Sequence, residues 1–174
     1  MKKYLLTATL ACSALLLQAD TSEAALVFSL NATGSQEVPG PGDTDGLATG
    51  FLTINEAADT NPLGVSWNFS YSNIDAPTAM HIHTGGLGSS GGVLLGLGVN
   101  TSGGAGTLID STSFASAADR DLVLANPSGF YVNIHNASFG AGAVRGQLTA
   151  VPEPSSMALC GVLAVGACFR RRKR

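Results

Sequence analysis

An all-β fold, a single antiparallel sandwich or barrel, is the architecture this sequence predicts. Three observations point there. Apolar and polar residues alternate in short runs, most clearly Val65, Trp67, Phe69 and Tyr71 against Ser66, Asn68 and Ser70, which is the period of a strand with one buried face. Clusters of Gly, Pro, Asn and Asp separate the runs and supply turn geometry. Helical periodicity is confined to one short segment.

Taken in chain order, the strand-like runs are Leu26–Leu30, Leu47–Ile54, Val65–Tyr71, Thr78–His83, Gly106–Ser111, Gly129–His135 and Val144–Ala150. The helix is expected from Ser116 to Ala125, bridging two strands. Ser116 and Asp119 have the spacing of a reciprocal N-terminal cap, and Asn126-Pro127 ends the segment. Residues 85–106 hold ten of the 22 glycines, so they read as a long surface loop or a pair of weak edge strands. Gly96-Leu97-Gly98 lacks the third glycine and the following helix of a dinucleotide loop.

The two ends differ from the middle. Residues 1–25 read as a signal peptide, with Lys2 and Lys3 before the apolar stretch Tyr4 to Leu17 and small residues flanking Glu23. Residues 151–174 read as a sorting or stop-transfer tail, in which a Pro-rich lead-in precedes an apolar run from Met157 to Phe169 and a basic terminus. Thirteen helical residues span about 20 Å against about 30 Å of hydrocarbon, short for a permanent anchor unless the arginines snorkel. Apolar terminal helices are thus expected to flank one domain at 26–150, on the far side of the membrane from both basic ends.

The tail resembles the PEP-CTERM sorting segment of bacteria through Pro152, Glu153 and Pro154, the apolar run, and Arg170, Arg171 and Arg172. That resemblance implies recognition by an exosortase-type membrane enzyme, membrane association before the tail is removed, and delivery to the outer surface or an extracellular matrix.

Residues 26–150 carry nine carboxylates against Arg120 and Arg145 alone, a net charge of −7 with no lysine. Phosphate contacts need Lys and Arg, so nucleic-acid binding is excluded. All three cysteines (Cys12, Cys160 and Cys168) lie in the terminal segments. The domain between them has no disulfide and depends on a packed core or a metal.

The three histidines fall near strand ends, His81 and His83 in Ala79–Gly85 and His135 in Gly129–Asn136. Alternate strand residues share a face, so His81 and His83 point together, as do Tyr131, Asn133 and His135. Two readings stand open. The imidazoles are structural, each hydrogen-bonded within a polar cluster, or they form one site for Zn²⁺ or Cu²⁺ with water or Asp75 as a fourth ligand.

A second resemblance covers about residues 26–150. The sequence is similar to the CHRD domain, named after chordin, through Gln36-Glu37-Val38-Pro39, Gly46 to Ile54, Ala79 to Gly85, Tyr131-Val132-Asn133-Ile134-His135 and Val144-Arg145-Gly146-Gln147-Leu148. It implies a Greek-key β-sandwich, immunoglobulin-like or superoxide-dismutase-like. In chordin the module belongs to an extracellular antagonist of growth factors, and the family carries over no catalytic mechanism. Ala143 stands where the family usually has an acidic residue, so any carboxylate partner of Arg145 must lie elsewhere. The expected role of Arg145 is a structural ion pair or carbonyl clamp ahead of ligand binding.

Two function classes follow. The first is a non-enzymatic surface or matrix module whose partners are the sorting enzyme and an exopolysaccharide or other envelope protein. The alternative is a secreted metal-binding protein built on the histidine cluster, with or without redox activity, although a dismutase site of about six histidines plus an aspartate is out of reach for three. Trp67, Tyr71 and Tyr131 are candidate sugar platforms, but the first two lie on an apolar strand face and read as core. Asp43-Thr44-Asp45-Gly46 reads as a turn because the later ligands of a calcium loop are missing.

Overall fold

The computed structural model describes residues 25–99 and 106–152. Among the described residues there are nine strands: β1 (Leu26–Thr33), β2 (Leu47–Ile54), β3 (Gly64–Ser72), β4 (Pro77–Thr84), β5 (Val93–Leu97), β6 (Thr107–Ser113), β7 (Phe130–Asn136), β8 (Val144–Gln147) and β9 (Thr149–Ala150). One helix, α1 (Ala117–Ala125), joins β6 to β7. The tail residues Glu153, Pro154, Arg170, Arg171 and Arg172, and both expected terminal helices, lie outside the described residues. No helix among the described residues is long and apolar enough to cross a membrane.

The strands form one antiparallel sheet in the order β5-β4-β7-β8-β1-β2-β3-β6, with β9 also on β1. β1 to β3 make a meander, while the links from β3 to β4 and from β6 to β7 each pass over four strands of that order. The two ends of the sheet approach each other, since a methyl group placed on Gly98, just after β5, would lie 2.9 Å from Asp110 Oδ2 on β6. The sheet is therefore nearly closed around one core, which removes most of its exposed edge.

The alternation seen in the sequence sets this inside and outside. Val65, Trp67 and Phe69 are buried while Ser66, Asn68 and Ser70 face solvent. On β4, Met80 and Ile82 enter the core and His81 and His83 do not. Leu52, Ile54, Leu108 and Ile134 fill the same interior, and each such side chain contributes about 1.5–3 kcal/mol of burial. Ser116 caps α1 by accepting from Asp119 N at 3.2 Å and donating to Asp119 Oδ2 at 2.8 Å, and the inward-facing Val123 docks the helix.

Part of the Gly-rich stretch is ordered as the edge strand β5, and β4 slips register against it between Ile82 and His83. β7 is buried along both faces, which period-2 patterning alone does not anticipate. Its second face is covered by loops: Gly91 N bonds to the Tyr131 hydroxyl, Glu37 meets Asn133, and Gly140 O meets His135.

A three-histidine cluster on the outer face of β4 and β7

β4 and β7 pair antiparallel with His81 opposite Asn133, His83 opposite Tyr131 and Ala79 opposite His135. All five polar or aromatic side chains are therefore on the outer face, because Met80, Ile82, Val132 and Ile134 occupy the inner one. The diagonal from His81 to His135 is within reach of two imidazoles. One candidate nitrogen from each of His81, His83 and His135 lies within 4.8 Å of the others.

The hydrogen bonds determine which nitrogens carry lone pairs. His83 Nδ1 lies 3.1 Å from the carbonyl of Gly91, and His135 Nδ1 lies 3.1 Å from that of Gly140. A carbonyl only accepts, so both rings are protonated at Nδ1 and offer a lone pair at Nε2. His135 Nε2 faces His81 Nδ1 at 3.1 Å. His83 Nε2 is buried and has no hydrogen-bond partner among the described residues. An orphaned acceptor of this kind is costly to bury.

Burial disfavours the charged form of two of the three rings. Burial, then repulsion from His135 and His83, holds the His81 imidazole below its ordinary pKa. Burial does the same for His135, opposed by its bond to Gly140 O and reinforced by His83. Neutral imidazole is the form that ligates a metal.

A packed shell surrounds the histidines. The Tyr131 ring stacks on His83 with centroids 5.0 Å apart and planes 11° from parallel. Arg145, only 1% exposed, places its guanidinium carbon 3.5 Å from the centre of the Tyr131 ring. Arg145 Nη2 donates to the carbonyls of Gly86 and Ser89, both at 2.8 Å, and to Gln147 Oε1 at 3.0 Å. This is a carbonyl clamp that holds the loop after β4 over Tyr131. The ion pair found among the described residues is instead between Arg120 and Asp121, at 2.6 Å.

The charge nearest to Arg145 in effect is Glu37, which patterning did not single out. Asn133 Nδ2 donates to Glu37 Oε2 at 3.3 Å. Burial pushes the Glu37 carboxyl up to about 7, against the pull of Arg145 and of the Asn133 hydrogen bond. Gly142, at φ +148°, seals this corner: a methyl group there would lie 2.6 Å from both Asn133 Nδ2 and Glu37 Cδ. The visible signal was Glu37 itself, the one acidic residue in the Gln36–Pro39 segment.

Other candidates fall away from the cluster. Asp75 accepts from Ser138 Oγ at 2.8 Å and is not among the grouped ligands. Asp43 takes part in a turn, its carbonyl accepting from Gly46 N at 3.1 Å. Trp67 is buried and Tyr71 packs against the core. Of the sorting residues, Pro152 is described and exposed.

A family model described as the CHRD domain matches residues 28–148, and one described as the PEP-CTERM protein-sorting motif matches residues 150–173. No curated protein and no solved structure matches the chain.

Proposed function

The chain belongs to the CHRD domain family and carries a PEP-CTERM motif that marks it for export and exosortase-type sorting, and from that premise we propose that it is a cell-envelope metal-binding module. The ion is held by His81, His83 and His135. One observation carries the reading: the Gly91 and Gly140 carbonyls commit two Nδ1 atoms, so two Nε2 lone pairs and His81 Nδ1 are left to one another. Carbonyls that accept the other ring N–H in this way orient metal-bound imidazoles.

We read the site as a binding site and not a catalytic one. Among the described residues the three rings touch one another, backbone carbonyls and Tyr131. Connections that skip strands support a Greek-key sandwich of the kind the family implies. In this reading residues 151–174 hold the chain at the membrane until the sorting enzyme removes them, after which the acidic domain enters the outer surface or matrix.

Metal analysis of tag-free protein tests the site. Wild type is expected to retain close to one equivalent of Zn or Cu after desalting, and His83→Ala close to none; near-zero content in both removes the proposal. Fractionation of a chain lacking residues 151–174 tests the address, and an unchanged location would refute it.

A further inference from the structure

Resting on the three-histidine reading, we infer that the ion is copper, ligated by His81 Nδ1, His83 Nε2 and His135 Nε2 and accepted in preference to zinc. The donor set makes the first cut. The grouped ligands are imidazoles alone, whereas calcium and magnesium take oxygen ligands, and the non-haem iron triad needs a carboxylate. A structural zinc site closes with four protein ligands, and this cluster has three.

Charge makes the second cut. Imidazole is a neutral donor, and the outer-face row His81, Asn133, Arg145 puts a buried guanidinium one strand from His135 and two strands from His81. The one buried carboxylate nearby, Glu37, bonds to Asn133 and not to the histidines. A dication placed among these half-buried rings has no anionic ligand, and uncompensated charge drawn away from bulk water is costly. That penalty is smallest for a monovalent ion, and of the imidazole-preferring metals only copper has a stable monovalent state. For divalent ions, the order of affinity at a nitrogen site peaks at Cu²⁺.

Location makes the third. Selectivity against copper comes from geometry, ligand type or metal supply. The cluster contains no carboxylate or fourth ligand to favour another ion, and an exported chain meets its metal outside the cytosol. With no such device, the site takes the ion at the top of the order.

The test uses the full chain, tag-free and stripped of metal. Cu(I) is titrated anaerobically against a chromophoric chelator, and Cu(II) and Zn(II) are titrated against a common competitor. Copper should bind at one equivalent, with Zn(II) weaker by about 100-fold or more. Cu(II) should show nitrogen superhyperfine coupling in its electron paramagnetic resonance spectrum. His83→Ala and, independently, His135→Ala should lose both copper and the coupling while their metal-free melting curves stay cooperative. Zinc bound as tightly as copper overturns the copper assignment and leaves the metal site standing. Absence of binding by either metal overturns the site itself.

Discussion

His81 Nδ1 faces His135 Nε2 at 3.1 Å across two strands. With metal–nitrogen bonds near 2.0 Å, that separation corresponds to a ligand–metal–ligand angle of about 100°, so these two nitrogens are spaced to share one ion once His81 Nδ1 gives up its proton. The metal-free contact is a hydrogen bond in which His81 donates, because the Gly140 carbonyl already takes the His135 Nδ1 proton.

Metal should therefore stabilise the fold measurably. An ion at 100 times its dissociation constant adds about 2.7 kcal/mol if it binds only the folded chain. For a domain of this size that is a rise of roughly 10 °C in melting temperature. Calorimetry with and without a chelator checks it. The rise should vanish in His83→Ala, and an equal rise in that variant would show that the ion binds elsewhere.

Arg145 should matter to the loop more than to the core. Arg145→Met keeps an unbranched apolar side chain but removes the guanidinium over Tyr131 and its bonds to Gly86 O, Ser89 O and Gln147. Charged hydrogen bonds of this kind contribute about 1.5–3 kcal/mol each before relaxation. The expected net loss in urea unfolding is about 2–3 kcal/mol, less than the sum because the loop carbonyls regain water. Amide exchange should accelerate across residues 85–92 and stay slow in β3. Uniform acceleration would mean that the guanidinium supports the whole sheet and not the loop.

The parts of this picture that were legible in the sequence are the local ones. A period of two assigns Val65, Trp67 and Phe69 inward and puts His81 and His83 on one face without knowledge of any partner strand. The Ser116 cap is equally local, closing over three residues. Patterning shows Glu37 but not its role, because its partner Asn133 is 96 positions away. The same holds for the loops over β7: their covering role depends on single bonds such as Gly91 N to Tyr131, not on any repeat in the sequence. β5 was blurred by its glycine, which weakens strand patterning where the fold supplies the pairing.

Glu37 gives the fold a pH dependence whose sign is fixed. Its carboxyl is raised from an ordinary 4.5 to about 7 by burial. Between those values the folded chain holds a proton that the unfolded chain has released, so stability falls as pH rises through this window. The favourable contribution is full below about 4.5 and gone above about 7. Allowing for solvent screening, the loss is on the order of 1–2 kcal/mol. Glu37→Gln keeps an acceptor for Asn133 and cannot ionise. In metal-free protein it should be about 1–2 kcal/mol more stable than wild type at pH 8 and level with it at pH 4.5, by urea unfolding at each pH. Every other ionisable group is common to both proteins and cancels in the difference, which isolates Glu37. Arg145→Met, by removing the charge that favours the carboxylate, should move the same window to higher pH. Parallel stability curves for wild type and Glu37→Gln would mean that Glu37 is ionised throughout and that water reaches it beneath the Gly142 turn.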